Sequence, residues 1–141
     1  MNQRATTEEE MMELGRKCGA KASSGAVWCL IGDLGTGKTH WTKGFVQGVG
    51  CSATVTSPTF GLVHEYRGGR TTVFHFDFYR IESAQELLSL GWDDYLERDG
   101  IVVVEWAEKY PHLLPAGAIK VTIDTQGDAS RLVEWNEPFG T

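Results

Sequence analysis

Apolar residues fall into two spacings along this chain, and the two alternate. Continuous apolar runs stand at 26–31 (AVWCLI) and 101–105 (IVVVE). Runs this short and unbroken fit strands buried on both faces. Elsewhere the spacing widens to the helical period. Thr7 to Glu10 (TEEE) forms a capping-box pattern, and Leu14, Lys17, Cys18 and Lys21 carry a helix to about residue 22. Lys38 to Val49 reads as a second helix, with Trp41, Phe45, Val46 and Val49 on its inner stripe and Gly50 as its stop. FGLVHEY (60–66) and TTVFHFDFY (71–79) flank RGGR, where Gly68 and Gly69 supply the positive φ of a tight turn between antiparallel strands. Ser83 to Glu86 repeats the capping box and opens a helix through Leu90, while AIKVTID (118–124) and RLVEW (131–135) alternate as late strands. Buried strands joined by helices, plus a hairpin, predict a single three-layer α/β domain over 1–141, with a mixed central sheet flanked by helices.

Composition narrows the class. With 41% hydrophobic and 11% aromatic residues the chain can bury a core. Its formal net charge of -6 has the wrong sign for gripping a phosphate backbone over a broad surface, so direct nucleic-acid binding is disfavoured. The segment MNQRATTEEEMM lacks the pattern of a signal peptide, and no run approaches the roughly 20 apolar residues of a membrane span. Cys18, Cys29 and Cys51 have no CxxC spacing and read as reduced thiols of a cytoplasmic protein.

The chemistry begins at GDLGTGKT (32–39), which satisfies the phosphate-loop pattern G-x-x-x-x-G-K-[ST] through Gly32, Gly37, Lys38 and Thr39. The glycines let backbone N–H groups turn inward as an anion nest, and the following helix adds the positive end of its dipole. Lys38 would reach the β- and γ-phosphates and the Thr39 hydroxyl would ligate Mg²⁺. The bland alternative is a glycine turn, but a buried strand before the loop and a helix after it favour the phosphate site.

Two acids end strands. Glu105 closes IVVVE as a central parallel strand would deliver a carboxylate to a nucleotide, and is the favoured Mg²⁺ carboxylate, directly or through water. Asp77 closes VFHFD on the polar face with His75 and Tyr79, and would orient Thr39, Lys38 or the attacking water. Either acid could instead be a solvated strand end. Thr56, Ser57 and Thr59 around Pro58 make a hydroxyl-rich loop that reads as a switch over the γ-phosphate or as an ordinary turn. His75 is a base or a structural histidine. Trp28 and Trp41 read as core, and alternation from Glu105 turns Trp106 toward the core as well.

Taken in order, GDLGTGKT, SPTF (57–60), HFDFYR (75–80), LGWDDYL (90–96) and VEWAE (104–108) resemble the TsaE (YjeE) family of small bacterial P-loop ATPases, from about residue 8 to residue 131. That resemblance implies a P-loop NTPase fold and a role in forming N6-threonylcarbamoyladenosine at position 37 of tRNAs reading codons that begin with A. It implies ATP and Mg²⁺ as cofactors, hydrolysis that is weak alone, and action on a TsaD–TsaB complex, with tRNA met only through that complex. By motif, Leu34, Gly35, Thr36, Gly37, Lys38 and Thr39 would hold phosphates, Thr39 and Glu105 the metal, and Asp77 would be the essential acid. Glu8, Glu108 and Arg131 match nucleotide contacts. Met11 stands where family members often carry threonine. A chain this small has little room for a second substrate, so a monomer that expends ATP on a partner is expected. A small-molecule kinase would need a lid carrying arginines, whereas Arg67, Arg70, Arg80, Arg98 and Arg131 are scattered. A nucleotide-responsive binding module remains the other alternative, and no NKxD tetrad suggests guanine.

Overall fold

The computed structural model describes residues 1–32, 37–56, 62–127 and 130–135. The chain runs β1 (Asn2–Ala5), α1 (Glu8–Lys21), β2 (Val27–Ile31), α2 (Lys38–Val49), β3 (Ala53–Thr56), β4 (Val63–Arg67), β5 (Val73–Asp77), α3 (Ala84–Ser89), α4 (Trp92–Glu97), β6 (Ile101–Glu105), β7 (Ile119–Thr125) and β8 (Arg131–Trp135). The described strands form one eight-stranded sheet in the order β1-β8-β7-β2-β6-β5-β4-β3. Its centre, β7-β2-β6-β5, is parallel, and both flanks are antiparallel. The three-layer mixed α/β architecture expected from the spacing is the one observed.

The buried runs behave as two-faced strands. Trp28 and Leu30 of β2 join Ile101 and Val103 of β6 in a core beneath α1 and α2. Val27, Cys29, Val102 and Val104 point the other way, into a core with Leu87 of α3 and Trp92 of α4. Phe74 and Phe76 of β5 belong to that second core. Period-two alternation therefore turns His75, Asp77 and Glu105 toward the α1–α2 side. The three polar groups finish apolar columns on one face.

Local signals account for the helix ends. The Thr7 side chain accepts from Glu10 N–H, 3.1 Å, but the Glu10 carboxylate reaches back to the backbone N–H of Thr6, 2.8 Å, one residue earlier than the reciprocal capping box. Ser83 caps α3 by accepting from Glu86 N–H. Helix α2 stops at Gly50, which takes the left-handed conformation at φ 92°. In the hairpin turn only Gly68 has positive φ, at 96°. Gly69 is needed for a different reason, since a Cβ there would lie 2.5 Å from the Val49 carbonyl oxygen.

Three elements escape the sequence pattern. Strand β1 is a short polar edge strand, paired residue by residue with β8 from Asn2↔Glu134 to Ala5↔Arg131. Strand β3 occupies 53–56, where a polar loop is expected from 54 onward, and pairs with β4. Helix α4 follows Gly91, whose φ of 95° breaks the chain away from α3. Cys18, Cys29 and Cys51 are in no disulfide, and burial pushes the Cys29 thiol up to about 12, where it is inert. Among the described residues no helix is long and apolar enough to cross a membrane.

Candidate functional site

The parallel strands end side by side, and their last residues carry the polar groups. Leu30 of β2 is in register with Glu105 of β6, and Glu105 with Asp77 of β5. Ligands of open α/β sheets bind at this carboxyl edge. Here the edge opens into a cavity of about 570 Å³, bounded across from the acids by Gly37, Lys38 and Thr39 at the start of α2. Glu8 and Arg131 line the same cavity, brought in by α1 and β8. Glu108 does not; it lies exposed on the short turn Ala107–Lys109. Leu34, Gly35 and Thr36 lie outside the described residues, as do Ser57 and Thr59, and of Thr56 the structure gives the end of β3.

Lys38 lines the cavity but is largely enclosed. It is 5% exposed. Its ammonium donates to the Gly32 carbonyl oxygen and lies 3.7 Å from the centroid of the Trp106 ring. A buried ammonium needs such partners, because desolvation penalises an unpaired charge heavily. Alternation predicts core packing for Trp106, and the ring does pack against the second core, but it also lines the cavity. The strand stops at Glu105, and Trp106 takes φ 60°, the only positive φ among the described non-glycine residues. That turn redirects the ring onto the cavity wall, where it packs against Tyr79 at 5.0 Å. Lys109 braces the turn by donating to the carbonyls of Tyr79 and Ile81.

Met11 also lines the cavity. Its side chain packs against Gly37, where a Cβ would lie 3.2 Å from the Met11 methyl. Met11 thus places an apolar group under the loop's last glycine. His40 contacts Glu8, Nε2 to Oε2 3.3 Å, and ties the first turn of α2 to the first turn of α1.

Glu105 and Asp77 are close neighbours with different surroundings. Glu105 is 9% exposed and its Oε2 lies 2.6 Å from His75 Nε2. Burial raises the Asp77 carboxyl above its ordinary value, and the negative charge of Glu105 raises it further. The Tyr79 N–H that Asp77 caps, His75 and Arg80 pull it down, without prevailing. Among the described residues no three His, Cys, Asp or Glu side chains are grouped to hold a metal. A hydroxyl (Thr39) and one or two carboxylates (Glu105, Asp77) instead suit Mg²⁺, which keeps waters and shares substrate phosphates rather than sitting in a protein cage.

The raised Asp77 value has a stability consequence. A carboxyl easier to ionise in the unfolded chain costs stability above its raised native value. The cost disappears below the ordinary carboxylate range, where both states are protonated. Asp77→Asn is therefore expected to raise the melting temperature at pH 7 and to lose that advantage near pH 3. Equal melting shifts at both pH values would count against a raised Asp77 carboxyl.

The family model described as "Threonylcarbamoyl adenosine biosynthesis protein TsaE" matches residues 5–137. The tRNA threonylcarbamoyladenosine biosynthesis protein TsaE of Bacillus subtilis (strain 168) is 39% identical over 128 residues, which is 91% of this chain and 80% of that protein. The Haemophilus influenzae protein of the same name is 44% identical over 103 residues, 73% of this chain and 65% of that one. The crystal structure of Bacillus subtilis YdiB superposes with a TM-score of 0.79 at 32% identity, covering 96% of this chain and 83% of the other.

Proposed function

The chain belongs to the TsaE family, and on that footing we propose that it is a Mg²⁺-dependent ATPase, weak alone, that supports N6-threonylcarbamoyladenosine formation at position 37 of tRNAs reading codons beginning with A. It acts on a TsaD–TsaB complex and does not transfer the group itself. The observation that supports this best is the convergence of Lys38, Thr39, Asp77 and Glu105 on one cavity at the carboxyl edge of the parallel strands.

In this reading Lys38 leaves its contacts with Gly32 and Trp106 to pair with the β- and γ-phosphates. Residues Leu34 to Thr39 supply backbone donors, and the positive end of the α2 dipole adds to them. Thr39 and Glu105 hold Mg²⁺, which supplies charge neutralisation at the transferring phosphoryl group. Asp77 accepts a hydrogen bond from the attacking water and orients it. Glu8 and Arg131 contact the nucleotide from the cavity wall, and Thr56, Ser57 and Thr59 respond to the γ-phosphate. The protein works in the cytoplasm as a monomer until it meets its partners.

Arg131, the arginine on the described cavity wall, enters from strand β8 and not from an inserted loop, so a second protein would complete the phosphoryl-transfer site. Trans completion is worth about 10³ to 10⁵ in rate in well-studied cases. A smaller gain is expected here, because two carboxylates already border the cavity. Steady-state ATPase should be measured for the chain alone, then with TsaD, TsaB, the pair, and tRNA. Stimulation by the pair alone is expected. Full activity in isolation, or stimulation by tRNA without proteins, would overturn the proposal.

A further inference from the structure

We propose that His75 is a positioning residue that holds the Glu105 carboxylate toward the Lys38–Thr39 end of the cavity, an inference that rests on the reading of Glu105 as the metal carboxylate. A carboxylate as enclosed as Glu105 needs a donor, and His75 is the side chain found against it, 2.6 Å from Nε2 to Oε2. The imidazole is itself enclosed, its side chain 12% exposed, so it has little freedom to leave. Neighbouring strands fix it from both sides: β4 places His64 opposite His75, and β6 places Val103 beside it. Its ring lies 6.2 Å from that of His64.

The contact occupies one carboxylate oxygen and leaves Oε1 for another partner. Close as the atoms are, Nε2–H does not point well at Oε2, and neither ring nitrogen has a well-aligned hydrogen-bond acceptor or donor among the described groups. Hydrogen bonds of this kind commonly tighten once a site is loaded. The location also fits. His75 lines a second cavity of about 350 Å³, which Glu105 does not line, and Thr39 borders both cavities. His75 therefore meets the carboxylate without itself lining the cavity of Lys38 and Glu105. Groups that orient a ligating side chain in this way change metal affinity about 10- to 100-fold when removed.

The side chain offers a graded test. His75→Gln can carry an amide donor to about the position of Nε2, whereas His75→Asn is too short and His75→Phe keeps the bulk without a donor. Mn²⁺ binding to each protein with a non-hydrolysable ATP analogue, followed by electron paramagnetic resonance, reads the metal without turnover. Glu105→Gln serves as the reference. We expect about tenfold weaker Mn²⁺ binding for Asn and Phe, near-normal binding for Gln, and a matching rise in the Mg²⁺ needed for half-maximal ATPase with kcat at saturating Mg²⁺ little changed. If Phe fails to fold, the contrast of Gln with Asn decides. Weak binding in Glu105→Gln with normal binding in the Asn and Phe variants would overturn the role of His75 alone. Normal binding in Glu105→Gln would overturn the metal reading and this inference with it. Equal losses in Gln, Asn and Phe would mean that His75 merely supports the fold.

Discussion

Lys38→Ala is expected to lower ATPase activity to below about 1% of the unsubstituted protein, the loss that follows from removing one principal stabiliser of developing charge. The side chain is the cation at the head of α2 inside the cavity, and Trp106 holds it 3.7 Å from its ring centroid. Nucleotide affinity should fall by about 10- to 100-fold, the range for a hydrogen bond to a charged group. The fold should survive. Burying an ammonium costs desolvation that its contacts only offset, so truncation removes both together. Thermal unfolding and nucleotide titration on the same preparation separate the two effects. Retained ATPase in a folded Lys38→Ala protein would remove the phosphate-loop assignment.

Gly44→Ala is expected to destabilise the protein by about 3 kcal/mol or more, at the upper end for overpacking. Helix propensity predicts the opposite sign, since alanine at an ordinary helical position gains about 1 kcal/mol over glycine. Packing decides. Helices α1 and α2 cross with backbones in contact, through Gly15 and Gly19 on one and Gly44 and Gly48 on the other. A Cβ on Gly44 would overlap the Met12 carbonyl oxygen, and one on Gly15 the carbonyl of Trp41. Neither obstacle is a side chain that could swing aside. Because α2 begins at Lys38 and Thr39, forcing the helices apart should also weaken nucleotide binding in whatever fraction stays folded. Differential scanning calorimetry should show a fall in melting temperature of roughly 10 °C. An unchanged or higher melting temperature would show that the crossing is looser than this geometry.

The sequence by itself determined the parts whose signal is local. Lys38 to Val49 reads as a helix because Trp41, Phe45, Val46 and Val49 recur at its period, and the structure has those bounds. The apolar runs ending at Ile31 and Glu105 are buried parallel strands because nothing polar interrupts either face. GDLGTGKT pointed to phosphate because its residue types carry the chemistry whatever the fold around them. Asp77 and Glu105 stood out because each is an acid ending an apolar strand.

Tertiary structure alone decided what depends on how distant segments meet. Strand alternation left the cavity role of Trp106 unseen, because the strand stops at Glu105 and a left-handed turn overrides the period. No local pattern announces that β5 lies beside β6 in the register that puts Asp77 against Glu105, or that His75 then meets the same carboxylate. The four glycines of the α1–α2 crossing look unfavourable within either helix and make sense only where the other helix presses against them. Glu8 and Arg131 reach the cavity from near the two ends of the described chain, because β1 and β8 pair at the sheet's edge. Periodicity records each segment's own burial, whereas register, helix approach and the direction of a side chain past a strand end follow from contacts between segments far apart in sequence.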